Sequence, residues 1–104
     1  LTVYGKGDTI VVVEDVLSAT KIARCRDESI CASPLLGSSL SKQSMAQLTK
    51  RYKTIHVWLD RDKAKEAIRI RNKLRALGIT SKAIITPLDP KEYNKTEIMK
   101  WLKS

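Results

Sequence analysis

Two short apolar runs, each stopped by acidic residues and followed at once by a helical pattern, constrain this chain more than any other feature. Residues 9–13 and 54–59 are rich in β-branched side chains, which is the composition of buried strands. The first run stops at Glu14 and Asp15, and the second stops at Asp60. Since strands that alternate with helices build βαβ units, the pattern predicts a mainly parallel sheet.

The other apolar patterns complete an α/β domain with four strands. Two further strands are predicted at residues 29–32 and 81–86. Amphipathic patterns predict helices at residues 15–26, 42–52, 63–77 and 90–101, with Ser39 or Ser41 as the cap of the second helix. A chain of 104 residues is long enough for one packed core and too short for two. We therefore expect a single domain over residues 1–104, with a four-stranded, mainly parallel sheet flanked by helices.

The acidic residues at the strand ends predict a divalent metal site. The carboxyl ends of neighbouring parallel strands meet at one edge of a sheet, where ligands of α/β proteins collect. Glu14 would then lie near Asp60 and Asp62, and three such carboxylates repel each other unless a cation sits among them. Mg²⁺, or Mn²⁺ in its place, prefers oxygen ligands and keeps waters that a substrate phosphate can displace. The alternative is that Asp60 caps the following helix and Asp62 lies in its first turn, where the helix dipole favours an acid.

Four segments, in this order, resemble the Toprim domain of bacterial-type and phage primases, type IA and type II topoisomerases, and some nucleases and recombination proteins. They are VVVE at residues 11–14, LLGSSL at 35–40, VWLDRD at 57–62 and PLDPKEY at 87–93. The last is similar to the Asp-Pro-Asp-Glu segment of the primase branch. The resemblance implies a Rossmann-like Toprim fold, with Glu14, Asp60 and Asp62 as catalytic residues and metal ligands, and Asp89 as a further ligand.

Two positions depart from the primase pattern. Asp15 stands where primases of this kind commonly carry Gly after the first Glu, and Lys91 replaces the second Asp of the late segment. Either change is expected to weaken a second metal site, whereas Glu14, Asp60 and Asp62 keep the family pattern.

The resemblance implies Mg²⁺-dependent nucleotidyl transfer, most specifically RNA-primer synthesis on single-stranded DNA by a phage-type or bacterial-type DNA primase. Template strand and nucleotides would then be the partners, together with zinc-binding or helicase domains of a longer parent chain. The start at Leu1 instead of Met agrees with such a fragment. The alternatives are a Toprim domain of a topoisomerase or nuclease, and a module that binds nucleic acid without catalysis. Neither Tyr52 nor Tyr93 has the context of a topoisomerase nucleophile.

The charge of the chain agrees with a polyanionic partner, since the formal net charge is +9. Arg61, Lys63 and Lys65 follow the second acidic strand end, and Arg69 and Lys73 continue the basic series along the same predicted helix. These five residues are predicted to bind nucleotide or template phosphates. The alternative is a solvated helix face that has no ligand.

Several other functions find no support in the sequence. The longest apolar runs cover a few residues, too short to cross a membrane, and the start lacks the pattern of a signal peptide, so we expect a cytoplasmic protein of a bacterium or of a phage host. Cys25 and Cys31 lack the paired spacing of a zinc site and are expected to be reduced thiols. His56 is the single histidine and is expected to pack in its strand, so no Ser/His/Asp arrangement is predicted.

Overall fold

Within residues 2–25, 29–35 and 41–103, which the computed structural model describes, three parallel strands form the central sheet. They are β1 (Thr9–Val13), β2 (Ile30–Pro34) and β3 (Thr54–Val57), and their order in the sheet is β2-β1-β3. β1 pairs with both neighbours, so that Val12 lies opposite Ser33 on one side and opposite Val57 on the other. The last four residues of β1 are buried, which explains why its sequence is apolar throughout instead of alternating.

The same described segments contain four α-helices, which cover both faces of the sheet. They are α1 (Val16–Ala23), α2 (Lys42–Arg51), α3 (Ala64–Ala76) and α4 (Lys95–Lys103). Alternate side chains of a strand point to opposite faces, and accordingly Ile10 and Val12 pack with buried residues of α2 and α3. Val11 and Val13 pack on the other face with buried residues of α1 and α4. The result is the α/β architecture that the sequence predicts. No helix in the described part of the chain has the length and apolar character needed to cross a membrane.

The predicted fourth strand at residues 81–86 lies where expected, beside β3, but it does not form a continuous ladder. Two isolated parallel bridges join it to β3, Thr54 with Thr80 and Val57 with Ala83. At the first bridge, Thr80 of the outer segment forms both backbone hydrogen bonds, one as donor through its N–H and one as acceptor through its carbonyl. At the second bridge, Val57 of β3 forms both bonds in the same way. These roles alternate between the two strands in any single parallel ladder, and both bridges keep the same offset of 26 positions, so the register does not change. The positions between the two bridges add no further bridge among the described residues, and the regular sheet has three strands instead of four.

The last predicted helix is divided into two elements. Residues Pro90–Glu92 form a 3₁₀ turn, and α4 begins at Lys95. Between them Asn94 and Glu97 form a reciprocal cap, in which the Glu97 carboxylate accepts from the Asn94 N–H at 3.0 Å and the Asn94 side chain accepts from the Glu97 N–H at 2.9 Å. This pair satisfies backbone donors at the start of α4 and so begins a separate helix.

The other helices are close to their predicted extents. α1 ends at Ala23, three residues before the predicted end, and residues 26–28 lie outside the described segments. The hydroxyl of Ser41 accepts from the Ser44 N–H at 3.0 Å, which confirms Ser41 as a cap of α2. The alternative cap Ser39 and the Gly37 segment at residues 36–40 lie outside the described part of the chain. A 3₁₀ turn, Arg61–Lys63, precedes α3.

Candidate active site

The parallel pairing of β1 and β3 brings two carboxyl groups together at one edge of the sheet. Glu14 follows β1 directly, and Asp60 follows β3 after two further residues. The pairing extends beyond β3, because the Trp58 N–H donates to the Val12 carbonyl at 2.8 Å. The Glu14 carboxyl group is close enough to Asp60 to raise its pKa, so the proximity expected for these two residues is present.

The environment of Asp60 disfavours its charged form. Burial, the contact with Glu14 and the negative charge of Asp89 together raise the pKa of Asp60 to about 7, although the charge of Lys91 acts in the opposite direction. The Oδ1 atom of Asp60 is buried and has no hydrogen-bond partner among the described residues. A desolvated carboxylate oxygen beside a second acid gains stability from a proton or a cation. Carboxylate oxygens are the type of ligand that a hard divalent ion such as Mg²⁺ prefers.

An open cleft of about 470 Å³ lies in front of Asp60. Its lining consists of Asp60, Arg61, Asp62, Pro87, Leu88, Asp89 and Glu92. Asp62 lies in the 3₁₀ turn that precedes α3 and is exposed to this cleft. Among the residues that the structure describes, no three His, Cys, Asp or Glu side chains are grouped as a metal ion would require. The structure therefore brings Glu14 to Asp60, and it places Asp62 in the same cleft without completing a triad.

The alternative role of Asp60 as a helix cap has no support from its side chain. In the described part of the chain, the Asp60 carboxylate accepts no capping hydrogen bond from a backbone N–H of the turn. The Lys63 N–H donates instead to the backbone carbonyl of Asp60, at 2.8 Å. Asp89 takes part in this turn instead, because its Oδ1 accepts from the Arg61 N–H at 3.0 Å. Asp89, predicted as a further metal ligand, thus lies near Asp60 and holds the backbone of the turn that carries Asp62.

Buried side chains hold the segment that contributes Pro87 and Leu88 to the lining of the cleft. The Trp58 indole N–H donates to the Thr86 hydroxyl at 3.0 Å, and that hydroxyl donates to the Leu88 carbonyl. The Tyr93 hydroxyl accepts from the Leu88 N–H at 3.1 Å. Trp58, Thr86 and Tyr93 are all buried, so the exposed Leu88 is held through the core. Sequence reasoning missed these positioning residues, although the N–H of a buried Trp usually forms a hydrogen bond.

The predicted phosphate-binding residues lie in two groups. Arg61 lines the cleft, and Lys63, two residues later in the same 3₁₀ turn, is half-buried. Lys65, Arg69 and Lys73 are exposed and four residues apart on α3, so they form one row along the helix. The Arg69 guanidinium forms an ion pair with Glu66 at 2.7 Å, so a phosphate would compete with that carboxylate. Phosphate binding by these residues stays a prediction.

The two positions that depart from the primase pattern contact each other. The Lys91 ammonium lies 3.1 Å from Oδ2 of Asp15, while Oδ1 of Asp15 caps α1 by accepting from the Ser18 N–H at 2.8 Å. Burial alone would raise the pKa of Asp15, but the Ser18 hydrogen bond and the Lys91 charge lower it below its usual value. Asp15 is therefore a charged cap with a fixed cationic partner.

The histidine, two of the tyrosines and the buried cysteine do not line the cleft. Burial, together with the charge of Lys82, lowers the pKa of His56 to about 4, so this histidine is neutral at pH 7, as expected for a packed side chain. Tyr52 and Tyr93 are both buried. Cys31 is buried with its sulfur 3.7 Å from the Tyr52 hydroxyl.

The fold and the paired acids define a parallel α/β domain with an acidic site at the carboxyl ends of adjacent strands. The family model of the Toprim domain matches residues 9–99, and the chain belongs to this family. Among solved structures, the DnaG catalytic core is similar, with a TM-score of 0.67 and 19% identity over 95% of this chain and 35% of that chain. The chain spans about a third of that structure, and at this identity the similarity shows a shared fold. No curated protein matches the chain.

Removing the Asp60 charge is expected to stabilise the protein in a pH-dependent way. With a folded-state pKa of about 7 against an ordinary value of 3.8, folded Asp60 keeps a proton that the unfolded chain releases. Its stabilising contribution is thus present below pH 4 and is lost as the pH rises through 7. In the presence of a chelator, Asp60→Asn should raise the Tm by about 5 °C at pH 8. This shift corresponds to a gain of about 1 kcal/mol in the free energy of unfolding, because solvent partly screens the charge of Asp60.

At pH 4.5 the Tm of Asp60→Asn should lie close to that of the wild type. Circular-dichroism melts at the two pH values measure the difference. Asp8→Asn is the matched control, because Asp8 is exposed and lies before β1, at the opposite end of that strand from Glu14. A similar loss of stability at both pH values would show that the Asp60 carboxylate has a structural role.

Proposed function

We propose that the chain is the catalytic Toprim domain of a DNA primase, which synthesises RNA primers on single-stranded DNA by Mg²⁺-dependent or Mn²⁺-dependent nucleotidyl transfer. The proximity of Glu14 to Asp60 carries the proposal, since Asp60 also has a buried oxygen that finds no hydrogen-bond partner in the described part of the chain. Family membership and the fold shared with the DnaG catalytic core support a role on nucleic acid. The proposed activity would take place in the cytoplasm of a bacterium or of a phage host.

The metal would be held between the strand ends and the cleft. Glu14 and Asp60 would provide the first oxygens, and Asp62 and Asp89 would provide others, directly or through water. When bound, a divalent ion neutralises charge on the phosphate oxygens of the transition state. Asp89 also has a positioning role, because its carboxylate accepts from the Arg61 N–H and thereby fixes the backbone of the turn that carries Asp62.

Basic side chains would bind phosphates on both sides of these acids. Arg61 lies in the cleft itself, where its guanidinium can bind the phosphates of a nucleotide in a bidentate manner. The row of Lys65, Arg69 and Lys73 leads away from the cleft along α3 and would follow the template backbone. These residues would orient the substrates, while the acids bind the cation.

Primer synthesis would require other parts of a parent protein. The template, two nucleotides and the metal must be held in register, and a misplacement of about 1 Å can lower the rate roughly a hundredfold. The chain corresponds to 35% of the DnaG catalytic core. Zinc-binding and helicase domains are the partner domains that we propose for the parent chain.

Loss of either paired acid should abolish primer synthesis by the parent protein. With single-stranded template, labelled nucleotides and Mg²⁺ or Mn²⁺, Glu14→Gln and Asp60→Asn should each lower product formation by about a hundredfold or more, as removal of metal and transition-state stabilisation does. The conservative control is Asp8→Asn. The isolated 104-residue chain should make no primer. Unchanged synthesis by the Glu14→Gln parent would contradict the proposal, and Asp60-dependent synthesis by the isolated chain would contradict the need for further domains.

The basic row of α3 should contribute to binding of single-stranded DNA in a salt-dependent manner. The affinity falls with the logarithm of the salt concentration by a slope of about 0.7 per neutralised phosphate. Replacing Lys65, Arg69 and Lys73 by Gln should therefore flatten the slope by about 2. The matched control replaces Lys95, Lys100 and Lys103, three exposed lysines of α4, and removes the same charge. Equal slopes for the two triple variants, measured by fluorescence anisotropy, would show that α3 has a solvated face without a specific role.

A further inference from the structure

One outer side of the sheet is covered by the chain itself, whereas part of the opposite side is open. At the β2 side, Tyr4 forms an antiparallel bridge with Ala32 through backbone hydrogen bonds of 2.8 and 2.9 Å. The Ser33 hydroxyl adds a hydrogen bond to the Thr2 carbonyl. The opposite side is the outer segment at residues 80–86, which lies beside β3. An outermost strand whose backbone groups are unpaired can accept a further strand.

The second bridge to β3 determines which backbone groups of the outer segment point away from the sheet. Val57 makes both hydrogen bonds there, because it accepts from the Ile84 N–H at 2.8 Å and donates to the Lys82 carbonyl at 2.9 Å. Its partner Ala83 therefore points its own N–H and C=O away from β3, and the alternation along a strand turns those of Ile85 the same way. In the described part of the chain, these four groups have no hydrogen-bond partner.

The unpaired stretch is short because the chain closes it at both ends. Before it, the Arg75 guanidinium donates to the Ser81 carbonyl at 2.9 Å and so occupies the preceding acceptor. After it, Pro87 has no N–H to offer to a further strand. Residues 83–85 between these two points are called the open edge here. They can pair with a few residues of an extended chain, and not with a long strand.

A groove of about 310 Å³ lies beside the open edge. Its lining consists of Lys82, Ala83, Ile84, Ile85 and Trp101, and none of these residues lines the acidic cleft. The Ile85 side chain is 48% exposed, so an apolar surface lies next to the unpaired backbone groups. Strand addition uses this combination, since main-chain hydrogen bonds give affinity and pockets for alternate side chains give specificity.

The charges around the groove indicate which partner fits it. The Lys82 ammonium donates to the Leu102 carbonyl at 2.7 Å, so a lysine of the groove is held toward the end of α4. Arg75 adds a second positive charge at the Ser81 carbonyl, and no carboxylate lines the groove in the described part of the chain. A second copy of the chain has the same net charge of +9 and would be repelled. The complementary partner is an extended segment that carries acidic residues.

We propose that the open edge binds an extended, acidic polypeptide segment of another chain or domain as an additional strand. The backbone groups of Ala83 and Ile85 would pair with the segment, and one of its apolar side chains would fill the groove beside Ile85. Its acidic residues would meet Lys82 and Arg75. The inference goes beyond nucleotidyl transfer and does not depend on it, because the open edge contains none of the proposed metal ligands.

A designed peptide tests the proposal on the whole 104-residue chain. The probe is Glu-Glu-Thr-Val-Thr-Val-Thr-Glu-Glu with a fluorescein label, and its two acidic ends allow either strand direction. Fluorescence anisotropy measures its affinity in about 0.15 M salt, which screens long-range attraction. The wild type should bind this peptide about fivefold more tightly than the same peptide with Lys in place of Glu.

Ala83→Pro separates strand addition from general attraction between opposite charges. The substitution keeps the net charge and removes an N–H that makes no hydrogen bond in the described part of the chain. Proline is accepted in outermost strands where the N–H faces solvent, so the fold should persist. The affinity for the acidic peptide should fall roughly tenfold, as expected for the loss of one or two hydrogen bonds. Ala83→Ser keeps the N–H and is the matched control, which should bind like the wild type.

A modified peptide keeps the test decisive even if Ala83→Pro unfolds. N-methylation of the central threonine and both valines removes the backbone donors of the peptide on either side, and it should weaken binding to the wild type roughly tenfold. Equal binding of the methylated peptide, equal binding of the lysine peptide, or no binding of the acidic peptide would each overturn the inference. Self-association of the wild type that Ala83→Pro abolishes, measured by sedimentation, would show that a second copy occupies the open edge, and would overturn it as well. Peptide binding reports neither metal binding nor primer synthesis, so failure of this inference is distinguishable from failure of the proposed function.

Discussion

The parallel pairing of β1 with β3 brings together two acidic side chains that would repel each other in water. Glu14 and Asp60 remain in contact because the strands that carry them are buried on both faces, and the residues from Ile10 to Val13 are inaccessible to solvent. The apolar burial of the strands greatly exceeds a repulsion of about 1 kcal/mol between two partly exposed acids. The fold can therefore tolerate the repulsion between Glu14 and Asp60, which a bound cation would reduce.

The apolar layer between the sheet and helices α1 and α4 supports the region around Glu14 and Asp60. Trp58 and Tyr93 belong to this apolar layer, and both also hold the backbone around Leu88, which lines the cleft: Tyr93 directly and Trp58 through the Thr86 hydroxyl. Lys21 of α1 fastens the turn that carries Lys91. Packing on this face of the sheet and the shape of the cleft are thus coupled. Changes in the layer that alter Trp58 should move the cleft wall even though they do not touch an acid.

Sequence patterns predict the part of this structure that depends on strand order and miss the part that depends on side-chain geometry. The proximity of Glu14 and Asp60 follows from neighbouring parallel strands, whose carboxyl ends meet at one edge. The bond from Asp89 to the Arg61 N–H depends on how a turn approaches a strand end, which no periodicity reports. The interruption of the fourth strand, which pairs with β3 only through two isolated bridges in the described part of the chain, is likewise not visible in a pattern of apolar residues. The start of α4 was available from sequence, since Asn94 and Glu97 have the spacing of a capping box.

A double-mutant cycle on the two acids tests most directly whether their enforced proximity defines the site. Urea unfolding of the wild type, Glu14→Gln, Asp60→Asn and the double variant at pH 8 in chelator gives the coupling free energy. If the carboxylates repel each other, each single variant should be more stable by about 1 kcal/mol, and the double variant should gain little beyond either one. Excess Mn²⁺ should then stabilise the wild type more than any variant. Additive or destabilising effects, with no selective response to Mn²⁺, would contradict the account.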